Sequence, residues 1–375
     1  MGWSFPIGVV RGTVIRIHLT FLLLLAWIAV THGLRGGTDA AVEGVVFISL
    51  VFLCVLLHEF GHVTAARRYG IQTPDITLLP IGGVARMERI PEEPGREIAV
   101  ALAGPAVNVV IALLLALVLG GVPAPEVMAE VEKPGVGLLQ RLFWVNVFLV
   151  VFNMIPAFPM DGGRVLRAIL AYRMGHARGT EIAARIGQAL AFGLGLLGLF
   201  GNPLLIFIAF FVYLGAASEA AEAQLRAAAH GLITADAMET RYESLSPMAT
   251  VGDAVEALIR TPQTDFPVVD GAGRLRGVLT RDDMVRALRE TGPETPVVEA
   301  MRRDIPAVNV RVPLQAALAA LRSVPGAPAV AVEDVAGRLV GLLTHQNLAE
   351  FMMVNALRSG RGPGTAASVG NALRG

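Results

Sequence analysis

The stretch LHEFGH, residues 57–62, combines metal-binding and acid–base side chains at helical spacing. His58 and His62 are four residues apart, so on a helix both imidazoles lie on one face and can bind a single zinc ion. Glu59 cannot reach that ion as a further ligand from the same helix. It is placed to take a proton from a water molecule on the zinc and to pass it on. The motif therefore predicts metal-assisted hydrolysis.

The motif ends an apolar run, VEGVVFISLVFLCVL, that is long enough to continue a membrane helix. Ionisable groups at membrane depth cost about 2.5–3.5 kcal/mol on insertion scales, so they are normally functional. Ordinary polar residues at a helix end are the weaker alternative. Cys54, the single cysteine, excludes internal disulfides and is expected to pack rather than react.

A catalytic zinc site needs a third protein ligand beside an open position. The stretch NMIPAFPMDGGR, residues 153–164, offers Asp161 after another apolar run, among prolines and glycines that break the helix. A break at membrane depth needs protein or a water-filled cavity around the freed backbone groups. Presenting a carboxylate to a metal is one reason for such a break, and a plain helix-ending turn is the alternative.

Composition indicates the elements that must hold these residues. The 375 residues are 54% hydrophobic and 17% charged, which is too apolar for a soluble protein. The formal net charge of zero gives no general basic field for nucleic acid. We therefore expect a polytopic α-helical membrane domain of about six spans, followed by a soluble α/β region. The spans are predicted at about 15–33, 42–64, 97–121, 138–158, 182–200 and 203–222.

Arginines flank these spans mainly on one side, while the opposite loops hold chiefly Arg35 and Lys133. The positive-inside rule then places the N-terminus and the C-terminal region in the cytoplasm, in a multi-pass protein of the cell membrane. Residues 71–90 contain Pro74, Pro80 and a glycine pair, which favours a β-hairpin against the membrane face. Such a hairpin could accept an unwound substrate segment as an added strand.

The chain resembles the site-2 protease family of intramembrane zinc metalloproteases in three motifs that occur in order. They are HEFGH at 58–62, GPAVN at 104–108 and NMIPAFPMDGG at 153–163. The resemblance covers the membrane half and implies one zinc ion per chain, with His58, His62 and Asp161 as ligands. It implies that Glu59 is the catalytic acid/base.

The same resemblance assigns roles to two asparagines. Asn153 is expected to polarise the scissile carbonyl or to steady the oxyanion, since an amide donor stabilises negative charge without adding a formal charge. Asn108 is expected to hold substrate, with a helix–helix hydrogen bond as the alternative. Gly104 and Pro105 are expected to serve packing and a kink. Single-span membrane proteins such as anti-sigma factors are the implied substrates.

The C-terminal region repeats itself: GRLRGVLTRDDMVRAL at 273–288 matches GRLVGLLTHQNLAEFM at 337–352. Each copy is predicted to run helix, strand, helix, strand, strand, helix. The copies resemble a tandem pair of cystathionine-β-synthase (CBS) domains. The expected boundaries are 1–228 for the membrane domain, 229–292 and 293–356 for the CBS domains, and 357–375 for a flexible tail.

A CBS pair implies clefts for an adenine nucleotide, which could regulate the membrane domain. The candidate ribose-binding residues are Thr280, Asp283, Thr344 and Asn347. Helix capping by the two threonines and a pair that binds no ligand are the alternatives, and the pair could also join two copies of the chain. For the whole chain, a CBS-gated transporter or channel and a zinc-binding pseudoprotease are the competing hypotheses. The HEFGH motif with its DGG partner argues against both.

Overall fold

The computed structural model describes residues 3–80, 82–87, 93–126 and 137–358. The chain divides into two compact units between Ala220 and Ala221. The helices of the first unit are α1 (Leu19–Arg68), α2 (Pro94–Leu119), α3 (Leu138–Asn153), α4 (Asp161–Met174), α5 (His176–Phe200) and α6 (Leu204–Ala229), the last of which continues into the second unit. Most of the expected tail, together with Lys133, lies outside the described residues.

Helix α1 contains a reversal at Gly37, whose φ of 76° is a left-handed conformation that favours glycine. In a straight helix the Cα atoms of Ile28 and Gly44 would lie about 24 Å apart. A β-carbon on Gly44 would instead stand 3.1 Å from Cγ2 of Ile28. The aromatic rings of Phe21 and Phe52 also meet, with centroids 4.5 Å apart. Therefore α1 is a helical hairpin, and its two arms correspond to the first two predicted spans.

Within the described residues, α1, α2, α5 and α6 are long and apolar enough to cross a membrane, and α3 is a shorter apolar helix. Counting the two arms of α1 separately gives six apolar helical segments, in line with a polytopic membrane domain of about six spans. That each segment crosses the bilayer stays a prediction. Amphipathic α4 follows the Pro-rich break after α3 and carries both buried and exposed side chains.

A four-stranded sheet accompanies the helices, in the order β1 (Ser4–Val10), β2 (Thr13–His18), β3 (Asp75–Leu79), β4 (Gly82–Arg86). The hairpin expected at 71–90 is confirmed where it is described, because β3 and β4 pair antiparallel. The start of the first predicted span was wrong: residues 13–18 form β2, which pairs in parallel with β3. In β2 the side chains of Thr13 and Ile15 are buried, an alternation that suits a strand.

The second unit is α/β. Its helices are α7 (Thr234–Ala237), α8 (Val251–Arg260), α9 (Arg281–Glu290), α10 (Val297–Ala300), α11 (Leu314–Ser323) and α12 (His345–Arg358). Its strands are β5 (Asp265–Val269), β6 (Leu275–Thr280), β7 (Ala307–Asn309), β8 (Ala329–Glu333) and β9 (Leu339–Thr344). The sequence predicts three strands in each repeat. In the second repeat the first of them is present as β7. In the first copy it is reduced to a single bridge between Leu245 and Val268, which corrects that prediction.

The two repeats bury matching positions. Fully buried side chains of the first copy have fully buried counterparts 64 residues later, and the four pairs are Phe266 and Val330, Val268 and Val332, Leu279 and Leu343, and Met284 and Leu348. Each copy therefore has its own apolar core on the same framework, as the sequence repeat predicts.

Candidate metal centre

The second arm of α1 carries the two histidines, and small residues of α2 allow close packing against it. A β-carbon on Gly61 would stand 2.9 Å from the carbonyl carbon of Ala103. A β-carbon on Gly104 would overlap the imidazole of His62 and stand 2.7 Å from Nε2 of His58. The GPAVN motif thus brings the α2 backbone directly against both imidazoles. Gly104 therefore belongs to the site, beyond the packing role expected from the sequence.

The third residue, Asp161, is the first residue of α4 and is held there by the glycines that follow it. A β-carbon on Gly162 would stand 2.5 Å from the carbonyl carbon of Met154, and one on Gly163 would stand 2.6 Å from the backbone nitrogen of Phe158. The loop between α3 and α4 thus folds back onto the first turn of α4. Both glycines are required sterically, which gives the DGG sequence a physical basis.

The three side chains converge on one point. Nε2 of His58 and Nε2 of His62 each lie 3.2 Å from Oδ2 of Asp161. The two Nε2 atoms lie 3.1 Å from each other. All three side chains are buried, and their ligand atoms lie within 4.8 Å of one another. This is the largest set of convergent metal-ligand atoms that the described residues contain.

The chemistry of the donor set fits a zinc ion. Oδ2 of Asp161 is buried without a hydrogen bond. Nδ1 of His62 lies 2.8 Å from the carbonyl oxygen of Val100, which can only accept, so Nδ1 carries the proton and Nε2 keeps its lone pair. A carboxylate oxygen and imidazole lone pairs that face one another repel unless a cation lies between them. Two histidines and one carboxylate also leave a position open for a reactant.

Glu59 lies beside His58 on the same arm of α1 and is half-buried. Strand β4 passes against it, because a β-carbon on Gly83 would stand 2.7 Å from Cγ of Glu59. The edge of the sheet and the expected acid/base are therefore in contact. Sequence reasoning missed this role of Gly83, and the glycine pair in the predicted hairpin was the one signal for it.

The two predicted asparagines are placed differently. Asn153, at the end of α3, donates from Nδ2 to the carbonyl of Leu149 at 2.9 Å, so one of its two N–H groups is used within its own helix. Asn108 is fully buried. Its Oδ1 lies 2.5 Å from Nδ1 of His58, and its Nδ2 donates to Oδ1 of Asn146 at 2.8 Å. The helix–helix hydrogen bond weighed for Asn108 is present, and its substrate contact stays a prediction.

A buried ion-pair network, which the sequence did not reveal, holds α4 in place. Arg167 of α4 donates from Nε to Oε1 of Glu97 in α2 at 2.7 Å. It also donates from Nη1 to Oε2 of Glu219 in α6 at 2.8 Å. Arg167 follows the fourth predicted span, where a flanking arginine would be exposed, but its side chain is buried. The helix that begins with Asp161 is thus fixed to two neighbouring helices.

The candidate nucleotide-binding residues of the first CBS repeat bond to one another. Thr280 donates from Oγ1 to Oδ2 of Asp283 at 2.6 Å and caps α9 by accepting from the backbone N–H of Asp283. Arg302 donates from Nε to the same carboxylate at 2.9 Å, and Arg286 also pairs with it. Burial opposes ionisation, but hydrogen bonds from Arg302 and Thr280 hold the pKa of Asp283 below its usual range.

The second repeat shows the same cap without a charge. Oδ1 of Asn347 accepts from the backbone N–H of Thr344 at 2.7 Å, and its Nδ2 donates to the carbonyl of Leu342 at 3.2 Å. Oγ1 of Thr344 also accepts from the backbone N–H of Asn347 at 3.1 Å, so the helix-capping bond expected of both threonines is present. In both repeats the polar pair is engaged internally, so a ligand would have to add to or exchange these bonds.

Comparison with known proteins agrees with this geometry. The model of peptidase family M50 matches residues 46–134 and 131–194, and the CBS domain model matches 234–290 and 297–354. A zinc metalloprotease of Methanocaldococcus jannaschii is 36% identical over 280 residues, which cover 74% of this chain and 78% of the relative.

Two solved structures are also similar to parts of the chain. The site-2 protease from Methanocaldococcus jannaschii is 37% identical, covering 58% of this chain and 95% of that one, with a TM-score of 0.44. CBSX2 in complex with AMP is 26% identical, covering 35% of this chain and 100% of that one, with a TM-score of 0.30.

The family assignment rests on the sequence relative and on the two family models, whose matches fall on the helices that bring the histidines and Asp161 together and on the two repeats. The chain belongs to peptidase family M50, the site-2 proteases, and is an intramembrane zinc metalloprotease that carries a tandem CBS pair.

Proposed function

We propose that the chain hydrolyses peptide bonds within or near transmembrane segments of membrane proteins, at a zinc ion held by His58, His62 and Asp161. The observation that carries this proposal is the convergence of both Nε2 atoms on Oδ2 of Asp161, at 3.2 Å each, in a buried site. Zinc, when bound there, would act as a Lewis acid that polarises the substrate carbonyl and activates a water molecule.

Glu59 is proposed as the general base and then the general acid. It adjoins His58 on the same helix arm, but its carboxylate does not belong to the group of convergent ligand atoms. The carboxylate is therefore available to accept a proton and to deliver it to the leaving nitrogen. Asn153 is proposed to donate an N–H to the oxygen on which charge develops. Its second N–H suits this role, since the first is donated to Leu149.

The substrate is proposed to enter as an extended segment, because a helical backbone keeps its carbonyls in internal hydrogen bonds. Among the described strands β4 pairs only with β3, so its other edge can accept an added strand. The contact between Gly83 of this strand and Glu59 would bring such a segment beside the acid/base. Single-span regulators such as anti-sigma factors are the proposed substrate class.

The same proposal includes the orientation of the protein in the membrane and the regulation of the membrane domain by a nucleotide. We propose that the N-terminus and the CBS pair lie on the cytoplasmic side; the arginines that flank the spans mainly on one side support this orientation. The CBS pair is proposed to bind an adenine nucleotide through Thr280 and Asp283, and through Thr344 and Asn347. Calorimetry of the second unit, residues 221–358, with ATP, ADP and AMP tests this binding, and the absence of heat with all three at millimolar concentration would leave docking or dimerisation as its role.

The decisive experiment compares membrane proteomes of cells that carry wild-type protein or Glu59→Gln. Intact substrates should accumulate with Glu59→Gln, while the purified variant keeps its zinc. Glu181→Gln is the matched control, because Glu181 forms an exposed pair with Arg185 on α5 and lies outside the zinc site. Unchanged proteomes in cells that express a zinc-loaded wild-type protein would instead support a pseudoprotease.

A further inference from the structure

Asn146 is a fully buried side chain on α3 that has no role in the chemistry proposed above. Its Nδ2 donates to the carbonyl of Leu142, one turn earlier in the same helix, at 2.8 Å. Its Oδ1 accepts from Nδ2 of Asn108 at 2.8 Å. Asn108 in turn meets Nδ1 of His58. Two asparagines thus connect a backbone carbonyl of α3 to one histidine of the metal centre.

The direction of each bond in this chain follows from its first member. A backbone carbonyl can only accept, so the group of Asn146 that faces Leu142 must be the N–H donor. The oxygen of Asn146 therefore faces Asn108 and requires an N–H there. Asn108 then presents its own oxygen to His58, at 2.5 Å. Nδ1 of His58 must accordingly carry the proton and donate it.

A neutral imidazole has one protonated nitrogen, so a proton on Nδ1 leaves the lone pair on Nε2, the atom that faces Asp161. We propose that Asn146 is a positioning residue that fixes the direction of the Asn108 amide and thereby the tautomer of His58 that binds zinc. The inference rests on the proposed zinc site and adds to it a residue from a helix that supplies none of the ligands.

The two histidines differ in their need for such a residue. Nδ1 of His62 meets the carbonyl of Val100, an acceptor whose direction is fixed by the backbone. The amide of Asn108 can flip by about 180°, which exchanges Oδ1 and Nδ2 with little change in shape because the two atoms are similar in size. A turned amide would donate to Nδ1 of His58, and the proton would then lie on Nε2, which could not bind a metal.

The first test is Asn146→Leu, which keeps most of the volume and removes all three hydrogen bonds of the amide: those with Leu142 and Asn108, and a longer one from Nδ2 to Sγ of Cys54 at 3.4 Å. Zinc affinity, measured on the purified protein by competition with a chromophoric chelator, should fall about 10–100-fold, as is typical when the partner of a metal-binding histidine is lost. Thr180→Val is the matched control. Thr180 is also fully buried and also donates to the carbonyl four residues earlier, but it does so on α5. Its zinc affinity should be unchanged.

The second test separates positioning from packing. Asn108→Asp in the Asn146→Leu background supplies a carboxylate, which accepts in either direction and needs no partner to orient it. Zinc affinity should recover to within about threefold of wild type, well inside the 10–100-fold loss of the single variant. Recovery also shows that the leucine is tolerated by the fold.

Wild-type affinity in Asn146→Leu, or a double variant as weak as the single one, would overturn the positioning role while leaving the zinc site intact. A wild-type protein that holds no zinc would overturn the proposed metal centre itself.

Discussion

Gly104 of α2 lies so close to His62 of α1 that a β-carbon at position 104 would overlap the imidazole. It would also stand 2.7 Å from Nε2 of His58. The ligand atoms are thus positioned by a neighbouring backbone as well as by their own helix. The geometry of the site therefore depends on the packing of α2 against α1.

Gly104→Ala should displace one or both imidazoles and lower the zinc content of the purified protein well below that of the wild type, because disturbing the support of a metal ligand typically costs about 10–100-fold in metal affinity. Gly193→Ala is the matched control on α5, where a β-carbon would meet nothing within 4 Å. That change should leave zinc occupancy unaltered, and alanine would favour the helix by up to about 1 kcal/mol. Elemental analysis decides the matter, and full zinc loading of Gly104→Ala would show that the imidazoles have room to move.

Single replacements at the metal centre should divide into two classes. His58→Ala, His62→Ala and Asp161→Ala should each abolish proteolysis and lower zinc occupancy, because each removes one of the convergent ligand atoms. Glu59→Gln should abolish proteolysis and keep the metal. Zinc content measured beside cleavage of an accumulated substrate separates the classes. Full zinc loading of Asp161→Ala would remove that residue from the ligand set.

Arg167→Met should destabilise the membrane domain by about 3–5 kcal/mol, because it leaves the carboxylate of Glu97 buried without its charged partner. Thermal unfolding in detergent measures the change. Arg185→Met removes an exposed pair with Glu181 on α5 and should cost less than about 1 kcal/mol. Adding Glu97→Gln to Arg167→Met should recover part of the loss. Equal melting temperatures for the two arginine variants would contradict a structural role for the buried network.

Asp283→Asn should destabilise the second unit, residues 221–358, by about 2 kcal/mol near neutral pH, the contribution of hydrogen bonds to a charged group. Because hydrogen bonding lowers the pKa of the folded-state carboxyl, this stabilisation is complete above the ordinary aspartate pKa of about 3.9. It is lost as the pH falls through the lower folded-state value. Thermal melts followed by circular dichroism should therefore show the two proteins converging in acid.

Asp265→Asn is the control, and its effect on stability should change with pH in the opposite direction. Burial raises the pKa of Asp265, so ionisation there costs stability as the pH rises. The free energy of unfolding of Asp265→Asn should therefore increase relative to that of the wild type as the pH rises. If Asp283→Asn followed the same trend, the ion pairing of Asp283 with Arg302 would not be what stabilises the repeat.

Topology can be tested with reporters. A reporter fused after Gly231 should read cytoplasmic, and one inserted near Pro125, between α2 and α3, should read external. These outcomes follow from the arginine distribution and from an odd number of crossings between the two positions. A cytoplasmic signal at Pro125 would contradict the proposed orientation of the spans.

The sequence by itself determined the chemistry and the class of the protein. The spacing of His58 and His62 is a local property of one helix, and the Pro and Gly residues around Asp161 mark a local break. Apolar runs of span length and a repeat at a constant offset are likewise visible without any tertiary contact. These features can be recognised from the sequence because each depends on residues close together in the chain or on the similarity of one part of the chain to another.

Only the tertiary structure decided how the site is supported. The reversal at Gly37, the burial of Arg167 among helices, the contact of Gly83 with Glu59 and the direction imposed by Asn146 on Asn108 all join residues far apart in sequence. A lone buried asparagine in an apolar run has no periodicity that names its partner. The role of such an asparagine depends on which donors and acceptors the packed helices bring within about 3 Å of it. Those neighbours are determined by long-range packing rather than by local sequence.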